Sequence, residues 1–139
     1  MKKKPCPAEL KTKINFPVFG FCVHVVFSKD VVASRTKRSD WLGCYHMGSA
    51  AALHSYATDN ESESWLFLRF DTGIEQIVHE SYHAIHRMLE ITGCKHDTEL
   101  VAYHLGHLAS AIAAFMHRSN DLYEYEKKKL TARQKKSKV

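Results

Sequence analysis

Residues 74–105 read IEQIVHESYHAIHRMLEITGCKHDTELVAYHL, and the HESYH near their centre governs the reading of the whole chain. His79 and His83 are four apart, with Glu80 beside the first. On a helix, positions i and i+4 lie one above the other on one face, so this pair can grip a single metal ion. Glu80 then stands next to the metal, placed to move protons. The H-E-x-x-H spacing has this meaning only on a helix, which can be tested by turning about 100° per residue from His79. Ile74, Ile77, Val78, Ala84, Ile85, Met88 and Leu89 fall within one arc, with Ser81 the single polar intruder. Gln76, His79, His83, His86 and Glu90 lie opposite. Thr72 with Glu75 three residues on makes a capping box, and Gly93 suits the left-handed residue that closes a helix. The sequence therefore predicts a helix over 73–92, with a core-facing stripe and a separate histidine face.

A catalytic zinc takes three protein ligands and leaves one position open, so a third ligand must come from elsewhere. Asp97 or Thr98 can cap a second helix, with Glu99 in its first turn. Val101, Leu105, Leu108, Ile112, Phe115 and Met116 form the apolar face of that helix. Beside Glu99 runs a flank of small residues, Ala102, Gly106, Ala109, Ser110 and Ala113, which lets two helices approach closely. A tight antiparallel hairpin puts His107, not Glu99, level with His83. Residues 93–98 can nevertheless span roughly 20 Å when extended, and His83 lies about 13 Å from the end of its helix. Glu99 is thus the first choice for the third ligand, with His107 and His86 behind it.

The HESYH followed by TELVAYHLG resembles the zincin metallopeptidases whose third ligand is a glutamate, the gluzincin arrangement. The likeness is nearest to the small zincin-like proteins encoded by bacteriophages and prophages. It covers residues 17–117, and its specific part is 72–106. It implies an α+β minimal zincin-like domain, in which a β-α-β-β unit with a small, partly antiparallel sheet precedes the histidine helix and a second packed helix follows. By that likeness His79 and His83 are zinc ligands, Glu99 is the third ligand and Glu80 is the general base. It also implies that an extended protein or peptide substrate lies along the edge strand of the sheet. The longer metzincin pattern is not met, because His86 and Leu89 stand where a glycine and a third histidine are needed.

At 139 residues, 45% apolar and 25% charged, the chain has the size and composition of one globular domain. Cys6, Cys22, Cys44 and Cys94 form no C-x-x-C pair and read as free thiols of a reducing compartment. The basic start lacks the apolar stretch of a secretory signal, and no apolar run is read as a membrane span. The expected location is the cytoplasm, that of the host for a phage-encoded protein, with the virion as the alternative. The net charge of +5 is unevenly spread, with Lys2–Lys4 and the segment Lys127–Lys138 holding ten of the 20 basic residues. The intervening stretch is net acidic. Basic ends of this kind read as solvated tails, capable of weak contact with a polyanion.

Along the chain, residues 1–16 read as an unstructured lead, with Pro5 and Pro7 breaking regular structure. Val18–Phe27 is rich in β-branched and aromatic residues and reads as a buried strand. Ser28 is placed to cap a short helix near Asp30–Arg38, and Trp41–Met47 is either loop or edge strand. Ser49–Thr58 and Ser64–Phe70 flank the polar DNESE turn and read as an antiparallel hairpin. In it Trp65, Phe67 and Arg69 face one side and Leu66, Leu68 and Phe70 the other. The domain is expected over 17–120 and a basic C-terminal tail over 121–139, in which Asp121–Glu126 adds a helical turn or two and the stretch from Lys127 is frayed.

The expected chemistry is peptide hydrolysis by a zinc-activated water. Glu80 acts as base, and Tyr103, one turn beyond Glu99, is a candidate donor to the oxyanion, as are His104 and His107. His86 extends the histidine face by one turn. His24, His46, His54, His96 and His117 bear no spacing relation to the motif and are expected in ordinary structural positions. Two other classes compete with the enzyme: a zinc-stabilised scaffold or virion protein without turnover, and a nucleic-acid accessory protein resting on the basic tail alone.

Overall fold

Phe21–Ser28 (β2) is apolar at nearly every position because it is covered on both faces. Val23, Val25 and Phe27 enter the main core, and Val26 enters a second, smaller cluster on the other side of the sheet. A computed structural model describes residues 9–38, 52–56 and 60–137 of the chain. Two further strands, Ala52–Tyr56 (β3) and Glu63–Arg69 (β4), join β2 and an N-terminal strand, Glu9–Phe16 (β1), in one sheet ordered β1-β2-β4-β3. β1 pairs antiparallel with β2, β2 parallel with β4, and β3 antiparallel with β4. The parallel pair requires a crossover, and the short helix Val31–Thr36 (α1) lies on it. The molecule is therefore α+β with a small mixed sheet, as the coarse class required.

β1 corrects the expected unstructured lead. Its sequence ELKTKINF alternates, so that Leu10, Ile14 and Phe16 pack on the core while Lys11, Lys13 and Asn15 are exposed. That is the period of a half-buried edge strand. Pro5 and Pro7 lie before it and do not interrupt it. Residues 1–8 lie outside the described residues. The strand expected from Val18 begins later, because Pro17–Phe19 form a single 3-10 turn closed by Gly20 at φ 57°. That left-handed residue reverses the chain from β1 into β2.

The cap of α1 is Asp30 rather than Ser28, its Oδ1 accepting from the Ala33 N–H at 3.0 Å. The ambiguous Trp41–Met47 stretch lies outside the described residues. The expected antiparallel pair is present over Ala52–Tyr56 and Glu63–Arg69, with His54 opposite Leu66 and Ser55 opposite Trp65, while residues 49–51 and 57–59 lie outside the described residues. Its two faces separate as the alternation required: Leu66 and Leu68 join the main core, and Phe67 and Trp65 the second cluster.

The histidine helix runs Ile74–Ile91 (α2), burying Ile77, Ser81, Ala84, Ile85, Met88 and Leu89 against the sheet. Ile74 and Val78, expected on the apolar stripe, are 58% and 40% exposed instead. The expected Thr72–Glu75 capping box is replaced by a bond from the Gly73 N–H to Gln76 Oε1 at 3.2 Å. Gly93, at φ 72°, closes the helix as expected, and the Cys94 N–H reaches the Leu89 carbonyl at 2.9 Å.

The second helix spans Thr98–Ser137 (α3), with Asp97 Oδ1 accepting from the N–H groups of Glu99 and Leu100 at 2.9 and 3.3 Å. Leu108, Ala109 and Ile112 complete the core. The expected frayed tail is helical through Ser137. The segment LYEYEKKKLTARQKK contains no glycine or proline, its residues are mostly good helix formers, and its acidic groups precede its basic ones. Like charge alone therefore did not end the helix. Thr98–Arg118 is also long and apolar enough to cross a membrane by length and composition, contrary to the expectation that no run would be.

Ser81 is fully buried in the core face of α2, and its hydroxyl has no hydrogen-bond partner among the described residues. Ser81→Ala should raise the unfolding free energy by about 1 kcal/mol, because it removes an unsatisfied buried group and improves helix propensity. Urea denaturation of the two proteins measures this. A less stable variant would mean that the hydroxyl is satisfied in solution.

Candidate functional site

The i, i+4 spacing on α2 places His79 and His83 as it should. Their Nε2 atoms are 3.2 Å apart, with the rings edge to face at 4.8 Å between centroids. Two nitrogens bound to one tetrahedral zinc at about 2.0–2.1 Å lie about 3.4 Å from each other. The Nε2–Nε2 distance is close to that spacing, and it is also that of a hydrogen bond between the two rings. His83 is held toward its neutral form by burial first, then by the positive potential of His79 and His86. Neutral imidazole is the form that binds metal.

Glu80 is half-buried next to this pair. Burial pushes its carboxyl above the ordinary glutamate value, and His79 offsets only part of that rise. A carboxylate raised in this way is a better proton acceptor than one in open water.

The edge strand contributes a residue with no assigned role in the sequence reading. His54 of β3 lies against α2, 9% exposed, its ring parallel to that of His83 at 6.0 Å and its Nε2 3.0 Å from Ser64 Oγ. Burial, followed by the charges of His83 and Arg87, pushes its pKa down to about 3. It presents behind His83 a ring held toward its neutral form by burial. The alternation of β3 puts His54 on the core face of the strand, but contact with α2 is long-range and has no signal in spacing.

The other expected site residues are placed as follows. Glu99 is exposed in the first turn of α3. The connection before it does return along α2, since His96 meets His86 at 4.3 Å between ring centroids. Among the described residues, however, one trio alone has its histidine, cysteine or carboxylate ligand atoms mutually within 4.8 Å, and it is Cys22, His24 and Glu63. The Glu99 carboxylate is thus not gathered with the His79–His83 pair. His86 lies 3.8 Å from Glu90 through Nδ1, and Tyr82 sits between His83 and His86. His104 and His107 pack edge-on against Phe16, and His104 against Phe19 as well, on the β1 side of α3. Tyr103 is 74% exposed with its ring against His104.

No family model matches the chain, and no curated protein or solved structure does.

Proposed function

We propose that this chain is a zinc-dependent metallopeptidase of the minimal zincin type. The observation that carries the reading is the convergence of His79 and His83 Nε2, 3.2 Å apart, beside a half-buried Glu80. The element order supports it. From β2 onward the chain runs β2-α1-β3-β4-α2-α3, a β-α-β-β unit followed by the histidine helix and a second helix. β1 is an addition at the far edge of the sheet.

His79 and His83 would hold the ion, and Glu99, exposed at the start of α3, would supply the third ligand by swinging its side chain. When bound there, zinc lowers the pKa of a water to about 7 and polarises the substrate carbonyl. Glu80 takes the proton from the attacking water and returns it to the leaving amine nitrogen. The sheet order makes β3 the edge strand on the α2 side and β4 an interior strand. An extended peptide is proposed to add to β3, where main-chain hydrogen bonds provide affinity and side-chain contacts provide selection. Tyr103 remains the proposed oxyanion donor, reaching it through rotation of an exposed side chain. The exposed basic residues of α3, including Arg133, Lys135 and Lys136, suit weak contact with a polyanion.

A second reading has one observation in its favour. Glu99 does not join the histidine pair in the structure, and a zinc-stabilised scaffold without turnover needs no open catalytic geometry. Elemental analysis and peptide hydrolysis together test both. His83→Ala should lose one equivalent of zinc and all cleavage, and Glu99→Ala should lose most of both. Undiminished zinc in His83→Ala would remove the basis of the proposal. Zinc lost without any cleavage by the parent protein would favour the scaffold.

A further inference from the structure

The opposite face of the sheet carries a second set of metal-binding side chains, independent of α2. Cys22 and His24 are two apart on β2, so both point to the same face. It is the face that bears Val26 and Trp65, away from the main core. The parallel pairing aligns Cys22 with Glu63 of β4, which brings a carboxylate to the same spot. His24 Nε2 lies 3.6 Å from Cys22 Sγ and 3.5 Å from Glu63 Oε1. We propose that Cys22, His24 and Glu63 form a second, thiolate-containing site for a divalent metal ion, zinc by preference.

The two distances to His24 Nε2 are close to those of ligands on one tetrahedral ion. With a metal–sulfur bond of about 2.3 Å, a metal–nitrogen bond of about 2.05 Å and a metal–oxygen bond of about 2.1 Å, sulfur and nitrogen are about 3.6 Å apart and nitrogen and oxygen about 3.4 Å. The chemistry of the donors also fits. One thiolate, one neutral imidazole and one carboxylate carry two negative charges, which a divalent ion neutralises. A mixed sulfur, nitrogen and oxygen set suits zinc or cobalt(II) rather than calcium or magnesium.

A nucleophilic cysteine relay is the competing use of such a trio, and the atoms oppose it. In a relay the acid orients the ring from one nitrogen while the thiol uses the other. Here the sulfur and the carboxylate approach the same nitrogen, Nε2. Both therefore converge on a point in front of that atom, where an ion would sit.

The surroundings hold the ligands still and leave room for a fourth. Trp65 stacks on the His24 ring at 4.1 Å and 10°, fixing its plane. The Cys22 N–H donates to the Ser62 carbonyl at 3.0 Å, which anchors the strand end against the β4 approach. An open cleft of about 380 Å³, lined in part by Asn15, Cys22, Ser62 and Glu63, admits a water to the remaining position. Lys13 of β1, opposite His24, is a cation acting on both Cys22 and His24. Without an ion, burial and Glu63 hold the Cys22 thiol protonated; binding releases that proton to solvent.

The test uses full-length protein stripped with a chelator and titrated with cobalt(II). A thiolate ligand produces a sulfur-to-cobalt charge-transfer band, which the sulfur-free α2 pair cannot give. The parent protein should develop this band, and the His79→Ala/His83→Ala variant should keep it. Cys22→Ser should lose it. Because Cys22 is buried, Glu63→Gln at the cleft rim provides a second variant, and its cobalt affinity should fall about tenfold or more, at least the loss typical of an outer-shell partner. Absence of the band in the parent, its survival in Cys22→Ser, or unchanged affinity in Glu63→Gln would each overturn the site.

Discussion

Glu80→Gln should lower peptide hydrolysis by about 10²–10⁴-fold, the range that positioned general-base catalysis supplies, while zinc content and folding stay at the parent level. Glutamine keeps the length and hydrogen-bonding reach of the side chain but cannot accept the proton. His79 and His83 contact one another through Nε2 without Glu80, so an ion held by them would not depend on the carboxylate. Titration of the Glu80 carboxyl adds a second readout. The acid limb of the parent's kcat/KM profile should be absent from the residual rate of the variant. Steady-state cleavage of a quenched-fluorescence peptide library, with elemental analysis of the same samples, measures both. Cleavage that continues unchanged in Glu80→Gln would place the base on another residue.

The parts of this arrangement that rest on local periodicity were readable from the chain. HESYH lies on a helix because its apolar positions recur with the helical period, and the faces of β4 follow from simple alternation. The parts that rest on pairing between distant segments were not. Cys22 and Glu63 are neighbours only because α1 and β3 intervene and return β4 parallel to β2. No spacing within either segment announces that meeting. His54 illustrates the same limit, since its alternation is local but its stacking on His83 joins an edge strand to a helix.

Two further departures have different causes. β1 was hidden by the prolines before it and by its lysines, although its alternation is regular. The C-terminal half of α3 was hidden by its charge, which reads as disorder when propensity is set aside. For Glu99 the difficulty is geometric. Sequence places it in a first turn, and the structure agrees. Whether a first-turn carboxylate reaches a metal depends on a connection of a few residues and on one side-chain rotation, neither of which periodicity specifies.

In the metal-free protein, stability should fall as pH drops below about 6.5, and His54→Gln should flatten a large part of that fall. A histidine whose folded pKa is about 3, against 6.5 unfolded, binds its proton more readily in the unfolded chain. Stability therefore rises with pH through this window and levels off above the unfolded value. At about 1.4 kcal/mol per unit, the contribution is on the order of a few kcal/mol across the window. His24, His83 and His104 are shifted in the same direction, so the difference between parent and variant, rather than the parent's slope, isolates His54. Glutamine can still reach Ser64 Oγ, the partner of His54 Nε2 at 3.0 Å, and it does not titrate. Urea unfolding in the presence of a chelator, from neutral pH down to about 4, measures the two curves. Parallel curves would mean that His54 takes up its proton in the folded state, by moving out from between β4 and α2. A neutral His54 also matters to the site itself. It lets the ring lie parallel to His83 without adding charge beside a side chain that must stay unprotonated to bind metal.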